Sequence, residues 1–519
     1  MKFIIKTSNT VTISITRLRR LYTTNHRNVS CSVPQFKGPY MKNSQVDNSL
    51  GDISSHYAEM FNKLKQDSSK KTYWRGITNW IPNDWKPNPQ VVRKLLEPEL
   101  QKWVLHMNFL WLTLGRETTE SPLVDTTIIP LPHGFMVSSS DHYELNYWDS
   151  YWIVKGLLAC EMYQTARNML ENICSLIDKF GYVPKAGRYF FSGRSSPPLL
   201  AAMLDSYLQA TLDIDFLKSK IKYVEMELKY WREKRTVRLT KGEHEHVLYQ
   251  YRADSDYPRI ERYGEDASLV RTEIDPHRSS EMYRNLNSAS ESVWTFSSRW
   301  CEDEKILYGD LFPWMISRIV PVELNAIIHQ GYTLLRQWYR KLGDNNKVVH
   351  YRTLSKDLLI SIEMVLWNEN ESTWFDYDID KGESRKHFYI SNLIPLWTES
   401  YSKSKSQMTN AVLDYIYKNG IDHYKGGVPV TKRQAGGSWD FPNCNPGMQA
   451  CLAEGLRALG TSEGKSEAVC FVQKLLSAVY AGYIDEGALF EMYDCYESGH
   501  RGAGCKSYRG VYGPTSGVV

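Results

Sequence analysis

The 519-residue chain has no run of eighteen apolar residues, so no transmembrane helix is expected. It has no block of like charge either. Its 63 Lys and Arg stand against 59 Asp and Glu, a formal net charge of +4, and that balance gives no support for a nucleic-acid partner. The nine cysteines, at 31, 160, 174, 301, 444, 451, 470, 495 and 505, form no C-x-x-C pair and no finger spacing, so no zinc site is expected. Their odd count excludes complete pairing within one chain, and their usage leaves the redox compartment open. There is no Walker pattern, no G-x-G-x-x-G after a strand and no H-E-x-x-H. No metal or nucleotide cofactor is therefore expected, and a reaction here would draw only on water. The start, Met1-Lys2-Phe3-Ile4-Ile5-Lys6, is broken by polar residues before the apolar centre of a signal peptide forms. Arg17, Arg19, Arg20 and Arg27 in an acid-free Ser/Thr stretch also fit a weak organelle transit peptide. Compartment and oligomeric state carry no clear signal.

What the chain does have is aromatic surface, with 16 Trp and 34 Tyr. Rings of this kind stack on flat sugar faces, and they equally fill a large core with half-buried tyrosines. Residues 1–50 are polar and aperiodic and are expected to be flexible, with 51–519 as a single domain. From there a helical pattern dominates. Apolar residues recur three and four apart from Tyr151 to Phe180, and Gly181 follows as a C-terminal cap. The same spacing predicts helices over Glu99–Leu114, Leu199–Leu212, Leu324–Leu342, Tyr351–Trp367, Met408–Tyr417, Pro446–Leu459 and Ser466–Tyr480. Period-two strands are few. No repeat of fixed length is present, which favours a ring of paired helices with a loop-lined mouth over an open array.

The loops carry the chemistry. Tyr147-Trp148-Asp149-Ser150-Tyr151-Trp152 sets a carboxylate among rings, which suits a sugar; it is also how an aromatic helix start capped by Asp149 or Ser150 would look. Gly436-Gly437-Ser438-Trp439-Asp440-Phe441-Pro442-Asn443 has the same character. With Arg194-Ser195-Ser196-Pro197-Pro198, Pro258-Arg259-Ile260-Glu261, Phe296 to Trp300, Arg318-Ile319-Val320-Pro321-Val322 and Phe490-Glu491-Met492-Tyr493-Asp494, these segments resemble the trehalase family of glycoside hydrolases, in order and in spacing.

That resemblance implies an all-α fold, an (α/α)6 toroid. It also implies hydrolysis of α,α-trehalose to two glucose molecules with inversion, a small disaccharide as the partner, and secretion. Inversion uses one carboxyl to protonate the leaving oxygen and a second to activate water, about 6.5–9.5 Å apart. By position Glu491 is the general base. Trp148, Asp149, Arg194, Arg259, Glu261 and Trp439 match substrate-binding positions, although Arg194 and Arg259 also read as structural ion pairs. The acid falls at Thr295, whose hydroxyl supplies no proton near neutral pH. Further departures are Asp141 for arginine, Gly187 for asparagine, Ser196 for glutamine, Val293 for glycine, and Asn445 and Pro514 for tryptophan. Glu291, four residues before Thr295, is the family's residue there and reads as structural. Two readings follow: an impaired trehalase, or a non-catalytic relative that binds a sugar or serves as a helical scaffold.

Overall fold

The apolar stripes become helices that bury one side against a neighbour. The computed structural model describes residues 76–95, 97–119, 126–271, 273–295, 297–301, 315–504 and 512–519, with residue 59. The segment 1–50 and Phe296 lie outside the described residues. The helices that build the architecture are α1 (Pro98–Leu114), α2 (Tyr147–Ala159), α3 (Tyr163–Phe180), α4 (Leu200–Thr211) and α5 (Ile214–Lys234). They continue with α6 (Pro276–Glu291), α7 (Val322–Leu342), α8 (Asn345–Ser361) and α9 (Ile394–Trp397). The last four are α10 (Lys405–Asn419), α11 (Pro446–Ala458), α12 (Ser462–Glu486) and α13 (Gly513–Val518).

Their contacts close a ring. α2 packs on α4, α4 on α7, α7 on α9, α9 on α11, α11 on α13, and α13 back on α2. The outer layer follows from chain order: α3, α5, α8 and α12 each return against the inner helix that precedes them. α1 lies against α13, and α10 sits beside α12. The fold is an (α/α)6 toroid.

Closure depends on residues without a side chain. A Cβ added at Gly517 would lie 2.1 Å from the Trp152 carbonyl oxygen, and one at Gly156 would lie 2.6 Å from Gly517 Cα. The last inner helix can therefore reach the first only because both positions are glycine.

Two local readings need correction. The periodic stretch from Tyr151 to Phe180 is not one helix: it breaks at Cys160–Met162, where Glu161 adopts φ 59°. The apolar spacing runs through the break because both halves face the same core while the chain passes from the inner to the outer layer. The start of α2 is capped by neither Asp149 nor Ser150; the Asn146 side chain accepts from the Asp149 N–H. Asp149 is thereby left to use its carboxylate elsewhere. Gly181 does end α3, at φ 79°. A hairpin pairing Thr236–Lys241 with His244–Tyr249 adds a strand element the sequence pattern did not single out.

The inner helices run in one sense, so their N-terminal ends converge at one mouth. Asp149 lies in the first turn of α2, Glu323 in that of α7, Asn445 caps α11 and Tyr512 precedes α13. Unpaired N–H groups and aligned peptide dipoles make that mouth favourable for carboxylates and hydroxyl oxygens.

Candidate active site

Asp149 is buried, and both its oxygens are occupied. The Ser138 hydroxyl donates to Oδ2 at 2.5 Å and the Tyr512 hydroxyl to Oδ1 at 3.2 Å. Burial pushes its carboxyl upward, while Ser138, His142, Tyr512 and Lys185 pull it back. Trp148 beside it is buried and meets Trp152 edge to face.

Arg194 forms a fork with Glu261, through Nη1–Oε1 at 2.6 Å and Nη2–Oε2 at 3.0 Å, and also reaches Ser290 Oγ at 3.3 Å. Burial alone would raise the Glu261 carboxyl, but its bonds and charge interaction with Arg194 outweigh it and hold the group below its ordinary range. Arg259 does not pair with Glu261. It forks onto Asp266, through Nε–Oδ2 at 2.9 Å and Nη2–Oδ1 at 2.6 Å, so Asp266 is a supporting residue that the motif reading missed. Glu291 is fully buried, bound by Arg235 and by the Ser195 N–H. That network occupies both of its oxygens.

Thr295 follows a strained corner. Val293 has φ 72°, a left-handed conformation that disfavours β-branched residues. The Thr295 N–H and hydroxyl both turn back to the Val293 carbonyl, at 2.8 and 3.4 Å. The segment is braced from the far side of the mouth. Trp439 stacks on Trp294, with centroids 4.6 Å apart, and the Trp439 carbonyl accepts from Ser297 Oγ at 3.1 Å. Asp440 takes the Ser298 N–H at 2.9 Å and its hydroxyl at 2.6 Å. From there the chain leads to Asn445, whose side chain accepts the Met448 N–H at 3.0 Å as the cap of α11 and donates to the Glu491 carbonyl at 3.4 Å. Asn445 thus serves as a helix cap and a tether. Thr515 of α13 holds the preceding carbonyl, of Phe490, at 2.7 Å. Glu491 is half-buried on this segment. Through these braces the Thr295 and Glu491 segments are linked across the 437–445 stretch.

One residue at the mouth escaped the sequence reading. Lys185 lies on the loop after α3, and its ammonium donates to the Ser290 carbonyl and to Ser290 Oγ, the latter at 3.1 Å. Among the described residues no carboxylate stands within ion-pair distance of it. Burial, then the Arg194 charge, lowers it to about 7 from an ordinary 10.5; Arg259 adds to the effect, while Glu261 and Asp149 oppose it. Gly187, the position singled out from sequence, instead accommodates the Leu145 backbone closely. Ser196 is fully buried, and its hydroxyl has no hydrogen-bond partner among the described residues. A lysine two residues before a loop glycine has no sequence signature of its own, which is why Lys185 went unread.

Lys185 has a measurable pH signature. Its folded value lies below the unfolded one, so between about 7 and 10.5 the unfolded chain holds the extra proton and stability rises with pH. Lys185→Met should therefore stabilise the fold most at or below pH 7, by about 1–2 kcal/mol after discounting for its partial exposure, and lose that advantage toward pH 10. Urea melts across this range check it; a pH-independent difference would contradict the assignment.

The chain matches known proteins along nearly all of its length. The family model described as Trehalase covers residues 39–518. The trehalase of Pimpla hypochondriaca is 34% identical over 448 residues, spanning 85% of this chain and 77% of that protein. The human trehalase is 33% identical over 449 residues, spanning 85% and 76%. Among solved structures, the neutral trehalase of Saccharomyces cerevisiae superposes with a TM-score of 0.60 at 18% identity, covering 74% of this chain and 72% of that one, which supports the fold. A closed double ring of helices, with a carboxylate- and arginine-lined mouth and this extent of matching sequence, places the chain in the trehalase family of glycoside hydrolases.

Proposed function

We propose that this chain, with residues 51–519 acting as one domain, binds an α,α-linked disaccharide at the mouth of the ring and hydrolyses it only slowly. The observation that carries the reading is Thr295, an alcohol that bonds back to its own loop where the family places a proton donor. In the proposed step Glu491 takes a proton from water, and the water oxygen attacks the anomeric carbon from the face opposite the leaving glucose. The glycosidic C–O bond breaks, and the leaving oxygen must find its proton in solvent. Loss of a positioned general acid costs about 10²–10⁴-fold in rate. Trp148, Asp149, Trp439, Arg259 and the Arg194–Glu261 fork are assigned to holding the sugar. The fully non-catalytic reading draws its support from Val293, a β-branched residue held at a left-handed φ of 72° beside Thr295.

Calorimetric titration with trehalose, beside an assay of glucose release, tests both halves. Binding should be measurable in wild type and weakened by Asp149→Asn. Turnover should be slow and abolished by Glu491→Gln. Wild-type turnover at the level of ordinary trehalases, lost in Glu491→Gln, would sink the claim of impairment. Absence of any trehalose binding would sink the sugar-site claim.

A further inference from the structure

Behind the Glu491 segment two cysteines share one face of a short ladder. Asn443–Cys444 pairs antiparallel with Tyr493–Asp494, Asn443 opposite Asp494 and Cys444 opposite Tyr493. The Cys495 N–H extends the pairing by donating to the Pro442 carbonyl at 2.9 Å. Side chains alternate along a strand. The 443 and 494 side chains therefore point one way, and those of 444 and 495 point together to the other side. Both cysteines are free and 0% exposed. Diagonal neighbours of this kind stand about 7–8 Å apart at Cα, and a disulfide needs slightly less, up to about 7 Å. A ladder of two residues per strand can shift by that difference.

We propose that Cys444 and Cys495 are a disulfide-forming pair that clasps the two strands behind the mouth. With a glutathione-type disulfide as oxidant the chemistry balances. One cysteine thiolate attacks the small disulfide, forming a mixed disulfide and expelling one glutathione thiolate. The second cysteine thiolate then attacks the protein sulfur of that bond and expels the other glutathione. The pair gives up two protons and two electrons, and the oxidant leaves as two thiols. Burial pushes the Cys444 thiol upward, so exchange proceeds through transient opening of the strand pair.

The position gives the bond a consequence. Asn445, next to Cys444, tethers the Glu491 carbonyl, and Glu491 lies on the approach to Cys495. The clasp would fix the backbone that carries Glu491 against the start of α11. It does not depend on whether the site turns over sugar.

The test is to equilibrate the purified full chain in oxidised glutathione, both as the folded protein and during refolding from denaturant. Remaining thiols are then blocked with N-ethylmaleimide under denaturing conditions, and the peptides are mapped by mass spectrometry. A linked Cys444–Cys495 peptide is expected, with loss of two maleimide adducts relative to the reduced chain. Oxidation should also raise the Tm of wild type by about 4 °C, and leave that of Cys495→Ser unchanged. Full alkylation of both cysteines under both regimes, or linkage of either to a different cysteine, would overturn the proposal. The peptide readout uses wild type alone, so it stands even if Cys495→Ser does not fold.

Discussion

The Val293→Gly/Thr295→Asp double variant should release glucose from trehalose about 10²–10⁴-fold faster than the wild-type chain, the range set by restoring a positioned general acid. On the proposed reading two separate defects meet at this corner. Thr295 has no proton to donate at neutral pH. Val293 holds a left-handed φ of 72°, a conformation its branched side chain disfavours. A carboxyl placed by Thr295→Asp alone inherits the strained corner, so it should recover less than the double variant. Val293→Gly alone should leave turnover at the wild-type level while stabilising the fold by about 1 kcal/mol, since a non-glycine residue in this region costs roughly 1–2 kcal/mol and glycine gives part of that back in chain entropy. Initial rates for the four proteins, with Glu491→Gln added to the double variant, decide the matter. If the double variant is as slow as wild type, the acid is not the dominant lesion, and the damage extends to positions such as Lys185 and Asn445.

The second large change concerns stability. Arg299 is fully buried and serves two carboxylates, Asp376 through Nε–Oδ2 at 2.7 Å and Glu323 through Nη2–Oε2 at 2.5 Å, with its guanidinium over Trp294 and Trp300. Asp376 also accepts the first N–H of α7, from Val322, at 3.0 Å, so the same cluster fastens an inner helix to the 297–301 segment. Arg299→Met keeps much of the volume but strands two buried acids. The expected loss is about 3–5 kcal/mol, the usual cost of removing one partner from a buried ion cluster. The sign with pH follows. Burial already raises the Glu323 carboxyl and the Arg299 charge pulls it back, so losing the cation raises it further; the variant then holds more proton when folded and its stability falls as pH rises. The deficit relative to wild type should shrink on acidification. Chemical denaturation of both proteins across the acidic range measures this, and a loss below 1 kcal/mol would show that Arg299 is not the keystone of the cluster.

Much of the architecture could be read from residue order. Helical spacing located most of the ring helices to within a few residues, because a half-buried helix must present apolar side chains every three or four positions. The resemblance then named the inner and outer layers. The break between α2 and α3 was invisible for the same reason, since both flanking helices bury the same kind of stripe. The site was legible as a set of residue types. Trp148, Asp149, Arg194, Arg259, Glu261, Thr295, Trp439 and Glu491 all came from motifs. Partners such as Asp266, Ser138 and Tyr512 did not, because they are ordinary residues until the chain brings them within bonding distance.

From residue identities alone came the helical periodicity, the order of the family motifs and a threonine at position 295, since each of these is a property of one position or of its near neighbours in the chain. Folding in three dimensions settled the rest. It closed the ring where Gly156 meets Gly517, divided the arginines between Glu261, Asp266, Glu291 and Asp376, and set the Lys185 ammonium on the Ser290 carbonyl and hydroxyl. These outcomes depend on which groups meet across long sequence separations, and burial makes each such meeting strong. No local pattern encodes that pairing.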